Sequence, residues 1–157
     1  MHKILLVLLL FFTGCVYKIP YTSSKAYYIV IKNSQMAVAA TGFIKKDDTR
    51  LNLQLFSAGT VILDLHVEEN VCLSYTCMTK ESFNKEFFGI HHYKEFIDEL
   101  FKLKPIYGKK NLIKLENGFE QNIVTSSYDI TYRVENGNLY FKDRTNKILI
   151  KLKELGK

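Results

Sequence analysis

The 157-residue sequence predicts an α+β fold, a curved antiparallel β-sheet with two helices packed against it. Three observations lead there. Most of the chain alternates apolar and polar residues with the period of two expected of half-buried strands. Two segments near the middle switch to helical spacing. Short turns rich in Gly, Asn and Ser separate the alternating runs. The order is strands, two helices, strands, and an antiparallel sheet with its apolar face covered by the helices satisfies every amphipathic surface at once.

The N-terminus stands apart. Lys3 precedes an uninterrupted apolar run, residues 4–12, which is followed by Thr13, Gly14 and Cys15. That is the layout of a secretory signal peptide, and the run is too short for a permanent membrane span. Phe12, Thr13, Gly14 and Cys15 resemble the lipobox of bacterial lipoproteins, in which the cysteine thiol receives a diacylglyceryl group and becomes the new N-terminus. The resemblance implies lipidation of Cys15 with acyl chains such as palmitate. With Val16 and no aspartate next, it also implies the periplasmic side of the outer membrane. A simple cleaved signal and a buried core segment are the alternatives. The organisation expected is a signal peptide over residues 1–14, a lipidated N-terminus and polar tether over 15–25, and one domain over 26–157.

Within that domain, residues 27–32 and 36–44 read as strands around Asn33, Ser34 and Gln35. Leu51, Leu53 and Leu55 alternate with Arg50, Asn52 and Gln54. After the Ser57, Ala58, Gly59 turn, Val61, Leu63, Leu65 and Val67 share one side of residues 60–68, so the two runs form a hairpin. Residues 71–75 are a further short strand. Thr79 is then an N-cap for a helix carrying Phe83, Phe87 and Phe88 and stopped by Gly89. A second helix spans residues 92–103, with Tyr93, Phe96, Ile97, Leu100 and Phe101 on one stripe, and ends before Pro105. Strands return at 112–116, 119–124, 130–135, 138–142 and 147–152. The Asn117-Gly118 and Asn136-Gly137 pairs read as tight hairpin turns with both residues at positive φ.

Composition narrows the function. There are 22 Lys+Arg against 16 Asp+Glu, a formal net charge of +6, but the lysines are spread along alternating strands and form no block that would track a nucleic acid. Solubilising charge or attraction to anionic lipid headgroups remains. There is no tryptophan, and Tyr and Phe supply the aromatic content, distributed as in a core or a lined cavity.

The hairpin over residues 50–65, with Ser57, Ala58, Gly59 and Thr60 at its turn, Gly118, Phe119, Glu120 and Gln121, then residues 128–132, Leu139 and residues 148–152, resemble the outer-membrane lipoprotein receptor LolB and, more distantly, the carrier LolA. That resemblance implies an open β half-barrel lidded by helices, enclosing an apolar cavity for acyl chains. Leu51, Leu53, Leu55, Val61, Leu63, Leu65, Phe96, Leu100, Phe101, Tyr128, Ile130 and Tyr132 are its expected lining, and Ser57, Ala58 and Gly59 its membrane-facing loop. Ala58 replaces the large apolar residue that such receptors carry before the hairpin glycine, and their tryptophans are absent.

Candidate chemistry is sparse. Cys72 and Cys77 can pair as a disulfide in an exported protein or remain two buried thiols. His91 and His92 are adjacent and point to different sides, and His66 follows Asp64 on a polar face, so no metal site is expected. Ser74, Ser82, Ser126 and Ser127 lack a nucleophile-elbow setting. Asp98 and Glu99 suit ion pairs with Lys94 and Lys102. The expectation is a monomeric, membrane-anchored, non-enzymatic protein without cofactor, holding lipid or lipoprotein cargo. The alternative is a structural or assembly lipoprotein with a filled core and a protein-binding surface.

Overall fold

The structure is a computed structural model describing residues 19–156, so the expected signal peptide and Cys15 lie outside the described residues. Eleven strands form one antiparallel sheet: β1 Ser23–Lys32, β2 Ala37–Lys46, β3 Leu51–Ser57, β4 Thr60–Val67, β5 Asn70–Leu73, β6 Thr76–Thr79, β7 Leu112–Leu115, β8 Gly118–Val124, β9 Asp129–Glu135, β10 Asn138–Asp143 and β11 Ile148–Glu154. Helices α1 (Lys80–Phe88) and α2 (Phe96–Phe101) and a 3-10 turn at Tyr107–Lys109 lie between β6 and β7. The order across the sheet is β6-β5-β4-β3-β2-β1-β11-β10-β9-β8-β7, and β6 and β7 are its unpaired edges, so the sheet is open. Two meanders run outward from the middle, where β1 pairs with β11, and the helical segment joins their far ends.

Strand alternation holds along the strands except at the start of β4, where Val61 faces outward. Leu51, Leu53, Leu55, Leu63, Leu65 and Val67 are buried on the inner face, as are Ile130, Tyr132, Leu139, Phe141, Ile148, Ile150 and Leu152. The helices close over that face with Phe83, Phe87, Phe88, Phe96, Ile97, Leu100 and Phe101. Burying large apolar side chains from both layers is the main stabilising term, roughly 1.5–3 kcal/mol for each such residue.

Several boundaries differ from the sequence reading, each for a local reason. β1 begins at Ser23, so the last residues of the expected tether pair with β2, Ser23 opposite Lys46. β6 was not read as a strand because its turn, Ser74 and Tyr75, holds neither Gly nor Asn, although Ser74 adopts φ 55°. α2 is shorter than expected, and Tyr93 accepts from the Phe96 amide in the bend before it. Asn136 and Gly137 do take positive φ, 51° and 78°. Gly118, by contrast, lies inside β8 opposite Leu115, and the turn is one residue earlier. Glycine is needed there because a Cβ would sit 1.9 Å from the Val134 carbonyl oxygen.

Candidate functional site

Of the twelve residues expected to line one cavity, four come together around a slot. Leu53, Leu63, Leu65 and Phe101 are joined there by Ile31, Met36, Leu73, Met78, Phe83 and Phe87. The slot lies between α1 and the inner face of β1 and β3 to β6. Its rim carries the exposed Gln35 and Glu86, so it communicates with the outside between the β1–β2 turn and α1. The volume is about 50 Å³. A water needs about 10–15 Å³ on this measure, so the slot takes a few waters or the end of an alkyl chain, and a longer chain requires α1 to move outward.

The geometry of α1 bears on that movement. Its start is capped by Thr79, whose hydroxyl accepts from the Ser82 amide at 3.2 Å, and its end turns at Gly89 with φ 73°. Asn33 holds the mouth: its side-chain oxygen accepts from the amides of Gln35 and Met36, while its amide donates to the Phe87 carbonyl at 2.9 Å. Lys80 of α1 reaches Asp98 of α2 at 2.6 Å, and Lys102 pairs with the same carboxylate at 3.4 Å. Lys94 pairs instead with Glu69, and Glu99 accepts from the Tyr93 hydroxyl.

Leu51 and Leu55 are buried beside the slot without lining it, and five of the other six expected residues, Phe96, Leu100, Tyr128, Ile130 and Tyr132, belong to the other half of the core. Phe96, Leu100, Ile130 and Tyr132 are fully buried there. Phe96 and Tyr132 pack on Phe141, and Tyr128 stacks on Tyr107. A single cavity running under the whole sheet is therefore corrected to a slot under one half and a packed aromatic core under the other.

Val61 is also corrected. A bulge shifts the register between Leu55 and Phe56, setting Val61 opposite Phe56 on the outer face, where Val61 is 44% exposed. The expected loop residues Ser57, Ala58 and Gly59 are exposed at the hairpin tip, and Ala58 and Gly59 take φ 47° and 80°.

Cys72 and Cys77 face each other across β5 and β6 and form a disulfide just before α1. His91 is exposed, but His92 is buried, stacked on Phe96 with ring centroids 3.9 Å apart. Its Nδ1 hydrogen-bonds the Tyr107 hydroxyl, Nε2 is buried without a partner, and burial pushes the imidazole pKa down to about 4 against a smaller opposing pull from Asp143. Burial and hydrogen bonding with Tyr128 raise the Tyr107 hydroxyl far above its ordinary value. His66 lies 3.1 Å from Asp64 on the outer face, and no group of three or more His, Cys, Asp or Glu suited to a metal occurs among the described residues. Ser126 and Ser127 sit in the exposed β8–β9 loop, Ser74 in a turn and Ser82 in the first turn of α1.

Two buried polar side chains organise loops that the sequence does not mark. The Gln121 side chain accepts from the Ile106 amide and donates to the carbonyls of Ile106 and Lys110, fastening the segment before β7. Asp143 accepts from the amides of Asp129, Thr145 and Asn146, which shapes the β10–β11 turn. Among the described residues no helix is long and apolar enough to cross a membrane. No protein-family model matches the chain, and no curated protein matches it significantly.

Proposed function

We propose that this chain is a membrane-anchored lipoprotein that binds the end of an acyl chain in the slot under α1, on a LolB-like half-barrel, and that it takes part without catalysis in handling lipid or lipoprotein cargo at the periplasmic side of the outer membrane. The observation that carries the proposal is the slot itself. It is apolar along its walls, has two polar residues at the mouth, and is bounded on one side by a helix with a turn at each end. Each methylene drawn into such a site contributes roughly 0.8 kcal/mol, so a short chain end suffices for weak, exchangeable binding. The lipobox of residues 12–15 supplies the membrane attachment in this proposal.

Titration with a fluorescent long-chain fatty acid tests it. Uptake by the native chain is expected, with loss of uptake in Leu63→Phe, whose added ring occupies the slot. No saturable uptake, or equal uptake by the filled variant, refutes the proposal. The alternative, a structural or assembly lipoprotein, draws on a specific feature as well, the fully packed core beneath β8 to β11.

A further inference from the structure

The outer face of β1 to β4 departs from the polar surface that alternation leads one to expect. In register across the strands run Tyr28, Thr41, Phe56 and Val61, and beside them Ala26 lies opposite Phe43 and Val30 opposite Ala39. Tyr28 is 44% exposed, Phe43 43%, and Ile62, the bulge residue next to Val61, 48%. The Phe43 and Phe56 rings meet edge to face at 5.8 Å, so their apolar surface is continuous. The flanks are cationic. Lys153 pairs opposite Tyr28 and Lys151 opposite Val30, while Lys32 and Lys45 close the two ends of the patch. Asp64, at the far edge, is the one carboxylate facing outward from these four strands among the described residues, and it is engaged by Asn52 and His66.

We infer that this face seats on an anionic lipid bilayer. Aromatic and aliphatic side chains enter the interface while the lysine stems lie along its border with their ammonium groups at the headgroups. Position supports this occupant over others. The strand that carries Tyr28 begins at Ser23, and the eight residues from Cys15 to Thr22 reach at most about 28 Å when extended, so a lipid on Cys15 keeps the patch within range of the membrane. The mouth of the slot, at Gln35 and Met36, lies at the same end of the strands as Val61 and Ile62, though on the other face of the sheet, so a chain end leaving the bilayer has to pass only that end of the sheet to reach it. The inference rests on the proposed lipoprotein function for its membrane and adds a second, non-covalent contact to the anchor.

Co-sedimentation of the chain from Val16 onward, which keeps every described element and lacks the lipid, separates the two contacts. The vesicles are phosphatidylethanolamine with phosphatidylglycerol, and phosphatidylcholine alone is the comparison. Binding to the anionic vesicles is expected, weakening as salt rises. The doubly substituted Phe43→Thr, Val61→Thr should lose about tenfold in affinity, and so should Lys151→Glu, Lys153→Glu, whose exposed positions leave the core untouched. Absence of binding, or binding indifferent to both pairs of substitutions, overturns the inference. So does a dimer in solution that the Phe43, Val61 variant dissociates, since a second copy would then cover the face. Mass measurement of the full-length product reports separately whether Cys15 is acylated. Patch-dependent vesicle binding with an unmodified Cys15 would leave this inference standing and refute the anchor.

Discussion

Buried His92 makes the fold sensitive to acid in a defined window. In the unfolded chain its imidazole titrates near 6.5, whereas in the fold burial against Phe88, Phe96 and Tyr107 pushes the pKa down to about 4. Between those values the unfolded chain binds a proton that the fold does not, so stability falls as pH drops from 6.5 towards 4 and is fully present above 6.5. At about 1.36 kcal/mol per pH unit, lowering the pH from 7.5 to 4.5 removes about 2.5 kcal/mol from this group alone. For a domain of this size that lowers the melting temperature by about 8 °C. Urea unfolding followed by tyrosine fluorescence at stepped pH gives the slope. Asp47, Asp64 and Glu69 are held below the ordinary carboxylate range by their hydrogen-bonding and charged partners, so their loss belongs to lower pH. His92→Phe should flatten the curve between pH 7.5 and 4.5 whatever its absolute stability. An unchanged slope in that variant would refute the assignment of the transition to His92.

Three further outcomes are expected. Reducing the Cys72–Cys77 disulfide should cost about 2 kcal/mol on a chain-entropy basis, read as a lower melting temperature with reductant present and no such shift in the double serine variant. Gln121→Leu leaves the Ile106 amide buried without its acceptor and should destabilise by about 2 kcal/mol in denaturant unfolding. Asn33→Ala removes the hydrogen bond to the Phe87 carbonyl that holds the slot mouth, so fatty-acid uptake in stopped flow should become faster, with a lower melting temperature because the Gln35 and Met36 amides also lose their acceptor.

The strand faces were legible because a period of two leaves little choice once one face is buried. Leu51, Leu53 and Leu55 could turn inward only together, and Ile148, Ile150 and Leu152 likewise. Helix α1 was marked by Thr79 and Gly89, residues whose capping chemistry is local. What failed was what depends on another strand or on distance. The bulge that turns Val61 outward is a property of the β3–β4 pair, and alternation along β4 alone cannot reveal it. The close approach of Val134 that requires Gly118 involves a residue sixteen positions away, so the same Asn-Gly signal that holds at Asn136 shifts by one residue at Asn117. The slot was only partly visible. Its strand side follows from alternation, but Leu73 and Met78 come from a hairpin whose turn lacks the usual residues, and apolar composition does not distinguish a slot from a packed core. His92 is one of two adjacent histidines, and it is enclosed by rings from distant segments, Phe88, Phe96, Tyr107 and Tyr128, which the local sequence does not show.

Acyl-chain binding is tested most directly by native mass spectrometry of the chain from Val16 onward, purified without detergent from a bacterial periplasm. A bound fatty acid or phospholipid, present in the native chain and missing from Leu63→Phe, is the expected result. A ligand-free mass that stays unchanged when lipid is added, from protein that unfolds cooperatively, would contradict it and favour the structural or assembly lipoprotein instead.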